Sequence, residues 1–445
     1  MNRKLAFLLF AACGSAFGFF VGRAWIQPEP HPAGDYGALE PLQAKLREKE
    51  RELNLMRARL HVQSVSDDPA AYANLSAKEI RAALRKALHD TNPITRAAVF
   101  SNMLSHIGPD NIEAVLDVYS NIPMGWEKGE GMDKLINRMV EYRQLFYAWG
   151  QFDPEGAIAY CNDRAPDKLR AGFAISGVLR GWASVNPEGA LEWTQDPSNG
   201  AMSKLYNFGL VQGWVSSDLP AATTYVSGLE EGGDKTELVR ILTDEQMKKG
   251  FSAASRWAEA LGDKNMMKRA FSNLAQQHSR EHPEEVAAWL KAHAGEIYVE
   301  DSLERLGDNW GRQDPEAAAG FFDGLPDGEG KTEGMRELVR HWSKEDPQAT
   351  GSWLNQKDAS PELDPVYAAY AMQVSKEDGA GAMKWAVTIT EPEMQKRVVT
   401  SVGHNWYRQD KEAVEAWLPQ SGLAEETRKA IKEPPKQSWF EKIFR

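Results

Sequence analysis

Apolar positions recur with the period of an α-helix along most of this chain, and between residues 137 and 425 they form the same two-helix pattern nine times. Each copy is centred on a short polar corner. Successive corner residues are separated by 33 positions once and by 32 positions seven times. The corner residues are Asp153, Asn186, Asp218, Gly250, His282, Asp314, Asp346, Asp378 and Asp410. A nearly constant spacing of this size indicates a repeat protein.

The residues around each corner predict where one helix ends and the next begins. Aspartate or asparagine occupies most corners and proline follows in five copies, which is typical of a helix N-cap with proline at the first helical position. We name the helix before the corner helix A and the helix after it helix B. Helix A carries an apolar residue eight positions before every corner, and tryptophan four positions before six of the corners. Seven positions after each corner, helix B carries an aromatic residue: Tyr160, Trp193, Tyr225, Trp257, Trp289, Phe321, Trp353, Trp385 and Trp417.

Helix B also carries small or slim residues three and four positions after the corner in nearly every copy, as at Ala317 and Ala318. Small side chains let helices approach closely, and the aromatic residue one turn later is expected to fill the space beside them. A single hairpin cannot bury both of its faces. We therefore expect successive hairpins to stack side by side and to bury the indole rings between them.

Two-helix units of 32 residues with alanine and aromatic columns resemble the α-solenoid class that includes the tetratricopeptide and HEAT repeats. The resemblance covers residues 137–425. It implies a right-handed α-solenoid of about nine repeats, and the binding of a protein or peptide along a curved surface rather than catalysis. Because neither a sustained period-2 alternation nor an Asn-Gly hairpin occurs in the chain, we expect an all-α fold.

The amino-terminal segment predicts export from the cytoplasm. An uncharged stretch at residues 5–22 follows Arg3 and Lys4. A helix of that length would measure about 27 Å, enough to cross the hydrocarbon core of a membrane. We predict that residues 1–26 form a signal anchor, a single-pass inner-membrane helix that leaves the C-terminal region in the periplasm or otherwise extracytoplasmic. The alternatives are a cleaved signal peptide, which would give a secreted protein, and a lipoprotein signal with Cys13 as the lipidated residue.

Three segments separate this anchor from the repeats. Residues 27–37 form a proline-rich linker. Residues 38–65 place leucine or methionine at the a and d positions of one heptad register, with Lys49 at a d position as the lone misfit, and this pattern predicts a short stalk or coiled-coil helix. That helix either pairs into a homodimer or lies singly on the repeats. Residues 66–136 predict an irregular helical N-terminal part of the solenoid.

The final segment, residues 426–445, is predicted to be an amphipathic tail. Its apolar side chains fall on one helical face, with basic residues around them. The apolar residues are Trp439, Phe440, Ile443 and Phe444, and the basic residues are Lys436, Lys442 and Arg445. We predict that this tail caps the last repeat; docking to a membrane surface or to a partner is the alternative.

Composition narrows the possible functions. The formal net charge of -12 argues against a nucleic-acid-binding protein, which needs a basic surface to displace counterions from phosphates. Only two cysteines, Cys13 and Cys161, are present. They are too few for a disulfide framework or a cysteine zinc site.

Two short motifs resemble enzyme sites but do not meet their requirements. HSREH, residues 278–282, matches the H-x-x-E-H pattern of inverted zinc peptidases, which needs one continuous helix. The repeat pattern places a helix break inside it. GEGKT, residues 328–332, resembles part of a phosphate-binding loop, but no strand precedes it and Leu325 replaces the first glycine. We therefore predict no catalytic residue, no metal site and no cofactor.

Two polar columns on helix A are the candidate binding residues. The first lies two positions before the corner and forms a candidate partner-binding ridge: Lys248, Arg280, Arg312, Lys344, Lys376 and Arg408. These cations also suit the helix dipole, and Glu284, Glu316 and Glu412 lie four residues later as possible ion-pair partners. The second lies five positions before the corner and forms a candidate groove column: Gln277, Asn309, His341, Gln373 and Asn405. The same column would also suit a solvated helix face.

These patterns together predict a membrane-anchored, extracytoplasmic α-solenoid that acts as a protein-interaction scaffold. Its expected partner is a protein or peptide, with an anionic envelope polymer as a possible ligand of the ridge. One alternative is a cell-envelope protein that binds or processes glycans through a helical superhelix. In another, the helices close into an α/α toroid with acidic residues at its centre.

Overall fold

The computed structural model of the chain describes residues 72–433, except 91, 121, 123–131 and 166–167, together with residues 45 and 49. The predicted signal anchor, linker, most of the stalk and the last twelve residues of the tail lie outside the described residues. Among the described residues, no helix is both long enough and apolar enough to cross a membrane.

Contacts divide the chain into two units. Residues 1–71 and 90–98 belong to the first unit, and residues 72–89 and 99–445 belong to the second. All nine repeats lie in the second unit.

The described residues form α-helices and short 3-10 helices with no β-strand, which confirms the all-α prediction. Between residue 72 and the repeats, the described residues form three α-helices: α1 (Ala77–Leu88), α2 (Pro93–Leu104) and α3 (Ile112–Tyr119). The A helices are α4 (Met132–Gly150), α6 (Lys168–Ala183), α8 (Ser203–Ser217), α10 (Gly233–Met247), α12 (Lys264–His278), α14 (Glu300–Trp310), α16 (Glu329–Glu345), α18 (Asp364–Val374) and α20 (Pro392–Gln409). The B helices are α5 (Pro154–Arg164), α7 (Pro187–Gln195), α9 (Leu219–Ser227), α11 (Phe251–Glu259), α13 (Pro283–Lys291), α15 (Pro315–Asp323), α17 (Pro347–Leu354), α19 (Gly379–Ala386) and α21 (Lys411–Trp417). One further helix, α22 (Glu425–Lys432), follows the repeats.

The repeats contact their neighbours in sequence. Each A helix packs against the next A helix from α4 to α20, and α22 packs against α20 in the same way. Each B helix from α5 to α19 packs against the A helix of its own repeat and the A helix of the next repeat. This neighbour-to-neighbour packing is consistent with an α-solenoid.

All nine predicted corner residues are helix N-caps. At seven of them the side-chain oxygen accepts a hydrogen bond from the backbone N–H three residues later, at 2.8–3.1 Å. The other two corners, Gly250 and His282, have no side-chain cap. Gly250 has a φ of 92°, in the left-handed region that favours glycine. Side-chain caps therefore determine where helix B begins at seven corners, and the left-handed backbone conformation of Gly250 determines it at the fourth corner.

The most deeply buried column lies on helix B, four positions after the corner. Its nine members all have 0% exposure: Ala157, Ala190, Ala222, Ala254, Val286, Ala318, Thr350, Ala382 and Val414. The apolar column on helix A, eight positions before the corner, is equally buried except for Tyr370 at 5%. Because these helix B residues are small, each helix B can approach its two neighbouring A helices closely.

The aromatic columns pair within single hairpins and cover the edge of this core. Their ring centroids lie 5.4–5.9 Å apart in five repeats: Trp149 with Tyr160, Trp214 with Tyr225, Trp310 with Phe321, Trp342 with Trp353, and Trp406 with Trp417. On helix B only Trp353 is buried, and the other eight aromatic residues of that column are partly exposed. The expectation that stacking hides all the indole rings is thus only partly correct.

Glycine sets the distance between several A helices. A Cβ added to Gly181 or Gly213 would lie 1.9 or 2.1 Å from a backbone carbonyl oxygen of the preceding A helix. A Cβ on Gly307 of α14 would lie 2.1 Å from a carbonyl oxygen of α16. Backbone lies against backbone at these points, so no side chain there can move aside.

We expect Gly181→Ala to lower the free energy of unfolding by roughly 1–3 kcal/mol, because the new methyl group would force α4 and α6 apart. Gly320→Ala is the matched control. An added Cβ there meets no atom within 4 Å, and alanine favours a helix interior by about 0.5–1 kcal/mol. Urea unfolding should therefore shift in opposite directions for the two variants. Equal shifts would show that α4 and α6 are not in backbone contact.

Candidate interaction surface on the A helices

One face of each A helix lies largely opposite its buried column. By helical spacing it comprises the positions thirteen, ten, nine and six residues before the corner, and we name it the A-face. In α14 and α16 all eight A-face residues are charged: Asp301, Glu304, Arg305, Asp308, Glu333, Arg336, Glu337 and Arg340. In α18 none is charged: Pro365, Ala368, Ala369 and Met372.

The candidate groove column forms hydrogen bonds between neighbouring repeats. Four of its five members donate to the preceding repeat: Gln277 to Asp244 Oδ1 at 2.7 Å, Asn309 to Ser279 Oγ at 2.8 Å, His341 to Asp308 Oδ1 at 2.7 Å, and Asn405 to Ser375 Oγ at 3.0 Å. The fifth, Gln373, accepts a hydrogen bond from Lys376 in its own repeat. The four donors thus join successive A helices. Partner binding by this column stays a prediction.

Asp308 of α14 is the centre of a charged network that reaches α16. Its Oδ1 accepts hydrogen bonds from Arg312 Nη2 at 2.8 Å, Arg340 Nη2 at 2.9 Å and His341 Nε2 at 2.7 Å. Arg340 Nε also donates to Glu337 at 2.7 Å, and Glu337 is only 8% exposed. We name these five residues the Asp308 network. It holds two A helices together through side chains of opposite charge.

The network also sets protonation states. Burial opposes the charged form of Asp308, but the hydrogen bonds from Arg312 and His341 outweigh it and hold the pKa of Asp308 below its usual value. Burial lowers the pKa of His341; the hydrogen bond to Asp308 opposes this effect, and the charges of Arg312 and Arg340 reinforce it. Because the pKa of His341 lies below the ordinary value of about 6.5, its ring is neutral at pH 7 and its Nε2–H donates to the carboxylate.

Asp308, Glu337 and His341 also bring three potential metal-ligand atoms within 4.8 Å of one another. A divalent cation there would have to displace Arg312 and Arg340, whose guanidinium groups already bind these carboxylates. Their positive charges would also repel it. The donor set therefore fits an ion-pair network between repeats better than a metal centre.

The HSREH motif is interrupted as the sequence predicted. α12 ends at His278, and His282 is the N-cap of α13. His278 Nε2 lies 2.7 Å from a carboxylate oxygen of Glu285, and the ring of His278 stacks on Phe251 at 4.2 Å. The stacking contact joins the fourth and fifth repeats, and the contact with Glu285 lies within the fifth repeat.

The six cations of the candidate ridge are all exposed. Three are engaged by neighbouring side chains: Lys248 by Glu245, Arg312 by Asp308, and Lys376 by Gln373. Arg280, Lys344 and Arg408 form no ion pair within the part of the chain that the structure describes. No ion pair among the described residues joins a ridge cation to Glu284, Glu316 or Glu412, so the pairing considered from the sequence is not observed there.

The uncharged A-face of α18 forms a recess of about 560 Å³ between α16 and α20. It is lined by Pro365, Ala368, Ala369 and Met372 of α18, by Glu333 and Arg336 of α16, and by Met394, Arg397, Val398 and Ser401 of α20. Met372 is 38% exposed. Arg336 pairs with Glu333 at 2.6 Å, whereas Arg397 is exposed and has no ion pair among the described residues. An apolar floor thus lies beside an uncompensated cation.

Neither the Asp308 network nor the recess was predicted from the sequence. The repeat alignment contains a pattern that points to them: Asp308, Arg340 and Met372 occupy the same A-face position in three successive copies. A comparison of that column along the array would have shown the change from charged to uncharged residues. It would not have shown which charges are already paired.

We expect His341→Gln to reduce the pH dependence of stability between about pH 7 and pH 5. The unfolded state, with an ordinary histidine pKa of about 6.5, takes up a proton before the folded state does, so the free energy of unfolding falls as the pH drops below that value. Glutamine occupies the equivalent positions 277 and 373, carries an amide donor for Asp308 and does not titrate. Urea unfolding at both ends of this range measures the difference. An unchanged pH dependence in the variant would show that His341 binds protons equally in both states.

Replacing Arg280, Lys344 and Arg408 together with glutamine should change the free energy of unfolding by no more than about 0.5 kcal/mol. Their side chains are exposed, and isolated surface charges contribute little. Arg312→Gln is the comparison, because it removes a donor to Asp308 and should lower the melting temperature. Thermal unfolding followed by circular dichroism measures both. A large loss in the triple variant would show that the ridge is a structural element.

No known protein family, curated protein or solved structure matches this chain. The candidate surface is defined by the charges of α14 and α16, most of which are paired, and by the recess on α18.

Proposed function

We propose that this chain is a protein-interaction scaffold, held outside the cytoplasm by the predicted signal anchor at residues 1–26. Its partner binds the A-face at the recess of α18. The observation that supports this proposal is the break in charge, from eight charged residues on α14 and α16 to none on α18. Concave apolar surfaces with a polar rim are typical of the pockets that hold the anchor residues of a partner.

The recess borders the core, because Val398 is buried and Ala368, Ala369 and Met394 pack against the buried residues, but part of its apolar floor stays exposed. Met372 is 38% exposed, and Ala368 and Ala369 are only partly buried. At the equivalent positions of α14 and α16, charged side chains keep the surface hydrated. Methionine is flexible and polarizable, so Met372 and Met394 can adapt to an apolar side chain of a partner.

The double substitution Ala368→Arg and Met372→Arg should abolish partner capture without unfolding the chain. It fills the recess with the residue type that α16 carries at the equivalent positions, Arg336 and Arg340. We expect the immobilised variant to recover the partner from envelope extract at roughly one tenth of the unaltered yield or less, a loss of about 1.4 kcal/mol in binding. Quantitative mass spectrometry of the captured proteins measures the yield.

Phe173→Arg is the matched control, because Phe173 is a 50% exposed A-face residue on α6. A protein that depends on the recess is lost with the double variant and retained with the control. Recovery of every protein in equal amounts by all three chains would contradict the proposal. Sedimentation with purified cell-wall polymer, unaffected by either variant, would instead favour the glycan-binding alternative.

A further inference from the structure

The end of the array is closed by α22. Ile431 of α22 is fully buried, and a Cβ added to Gly403 of α20 would lie 2.7 Å from its side chain. α22 therefore covers the last A helix in the way that each A helix covers the one before it. The described part of the tail predicted at residues 426–445 thus covers the last A helix, and the residues after Glu433 lie outside the described residues.

The chain leaves α22 beside the recess. His404 Nδ1–H donates to the carbonyl oxygen of Ile431 at 3.1 Å, which places the end of α22 against the A-face of α20. Ser401, one helical turn before His404, lines the recess. The backbone is extended at Glu433, with a φ of -87° and a ψ of 143°. Six extended residues span about 20 Å, which matches the two helix spacings of about 10 Å each that separate α22 from α18.

The residues after Glu433 match the recess in chemistry. Trp439 and Phe440 are large apolar residues, and methionine sulfur makes favourable contacts with aromatic rings, as Met372 and Met394 could here. Glu441 follows them directly and is negatively charged. The exposed Arg397 forms no ion pair in the described part of the chain, so Glu441 is suited to pair with it.

The opposite wall of the recess favours a cation. Burial raises the pKa of Glu333, and the carboxylates of Glu304, Glu329 and Glu337 raise it further, against the charge of Arg336. A further positive charge near Glu333 would relieve this crowding. Lys442 follows Glu441 in the sequence, so one segment carries both of the charges that the two walls lack.

We propose that the segment at residues 436–445 of this chain docks in the recess of α18, with the Trp439–Phe440 pair over Ala368 and Met372. This inference deepens the proposed function, because it names an occupant for the same recess. The segment fills the recess while the partner is absent, and the partner must displace it.

Photocrosslinking in the full-length chain tests this docking. Phe440 is replaced by the crosslinker benzoylphenylalanine, and the products from a mixture of isotopically light and heavy chains are mapped by mass spectrometry. We expect cross-links within one chain to residues of α18 or α20, and a loss of at least about tenfold in their yield when Ala368→Arg and Met372→Arg are added. The control Phe173→Arg should leave the yield unchanged.

Other outcomes overturn the inference. Cross-links between light and heavy chains would assign the recess to the tail of a second copy. Cross-links to lipid or to helices remote from the recess would show that the segment docks elsewhere. If the double variant unfolds, Ala369→Glu, which introduces the residue type of Glu337 in α16, provides the second test; an unchanged yield in that folded variant would also contradict the inference.

The failure of this inference can be told apart from the failure of the proposed function. A chain truncated after Glu433 keeps the recess and loses the segment. Recess-dependent capture of a partner by that chain, together with absent cross-links in the full-length chain, would leave the function standing and remove the inference. Cross-links to the recess without any recess-dependent capture of a partner would support the docking of the segment and contradict the proposed function.

Discussion

Helix B can bury its small residues only between two A helices, that of its own repeat and that of the next. The column four residues after the corner is fully buried in all nine copies, and six of its nine members are alanine. This requirement sets the spacing of the repeats and makes each copy depend on its neighbour. It also uses one face of every A helix for the core.

The corners were predictable because their chemistry is local. At Asp314 and Asp346 a single carboxylate caps the helix and the next residue is proline, so two adjacent letters of the sequence determine where helix B begins. The buried columns follow from those corners by counting. The distances between repeats could not be predicted from the sequence in the same way. The contact of Gly181 with the preceding helix depends on how two backbones approach, and no residue near Gly181 in the sequence encodes that distance.

The polar columns show a second limit of sequence reasoning. Asn309 and His341 have the spacing of a solvent-lined groove, yet each donates to a residue about one repeat earlier in the chain. Asp308 is likewise a charged surface residue by pattern, but its carboxylate already binds three donors. Such pairing withdraws charges from interaction with other molecules. Exposure therefore says less about binding than the absence of an internal partner. Arg397 lacks an ion-pair partner among the described residues, as do Arg280, Lys344 and Arg408, but Arg397 is the one beside the apolar floor of the recess.

The two uncapped corners have a consequence for how the array comes apart. Gly250 and His282 are consecutive, and each lacks the side-chain bond that contributes about 1 kcal/mol to the start of a helix. In an array whose stability is a sum of unit and interface terms, two adjacent weak units reduce the cooperativity of melting at that point. We therefore expect copies one to three to separate from copies six to nine most readily at the fourth and fifth copies.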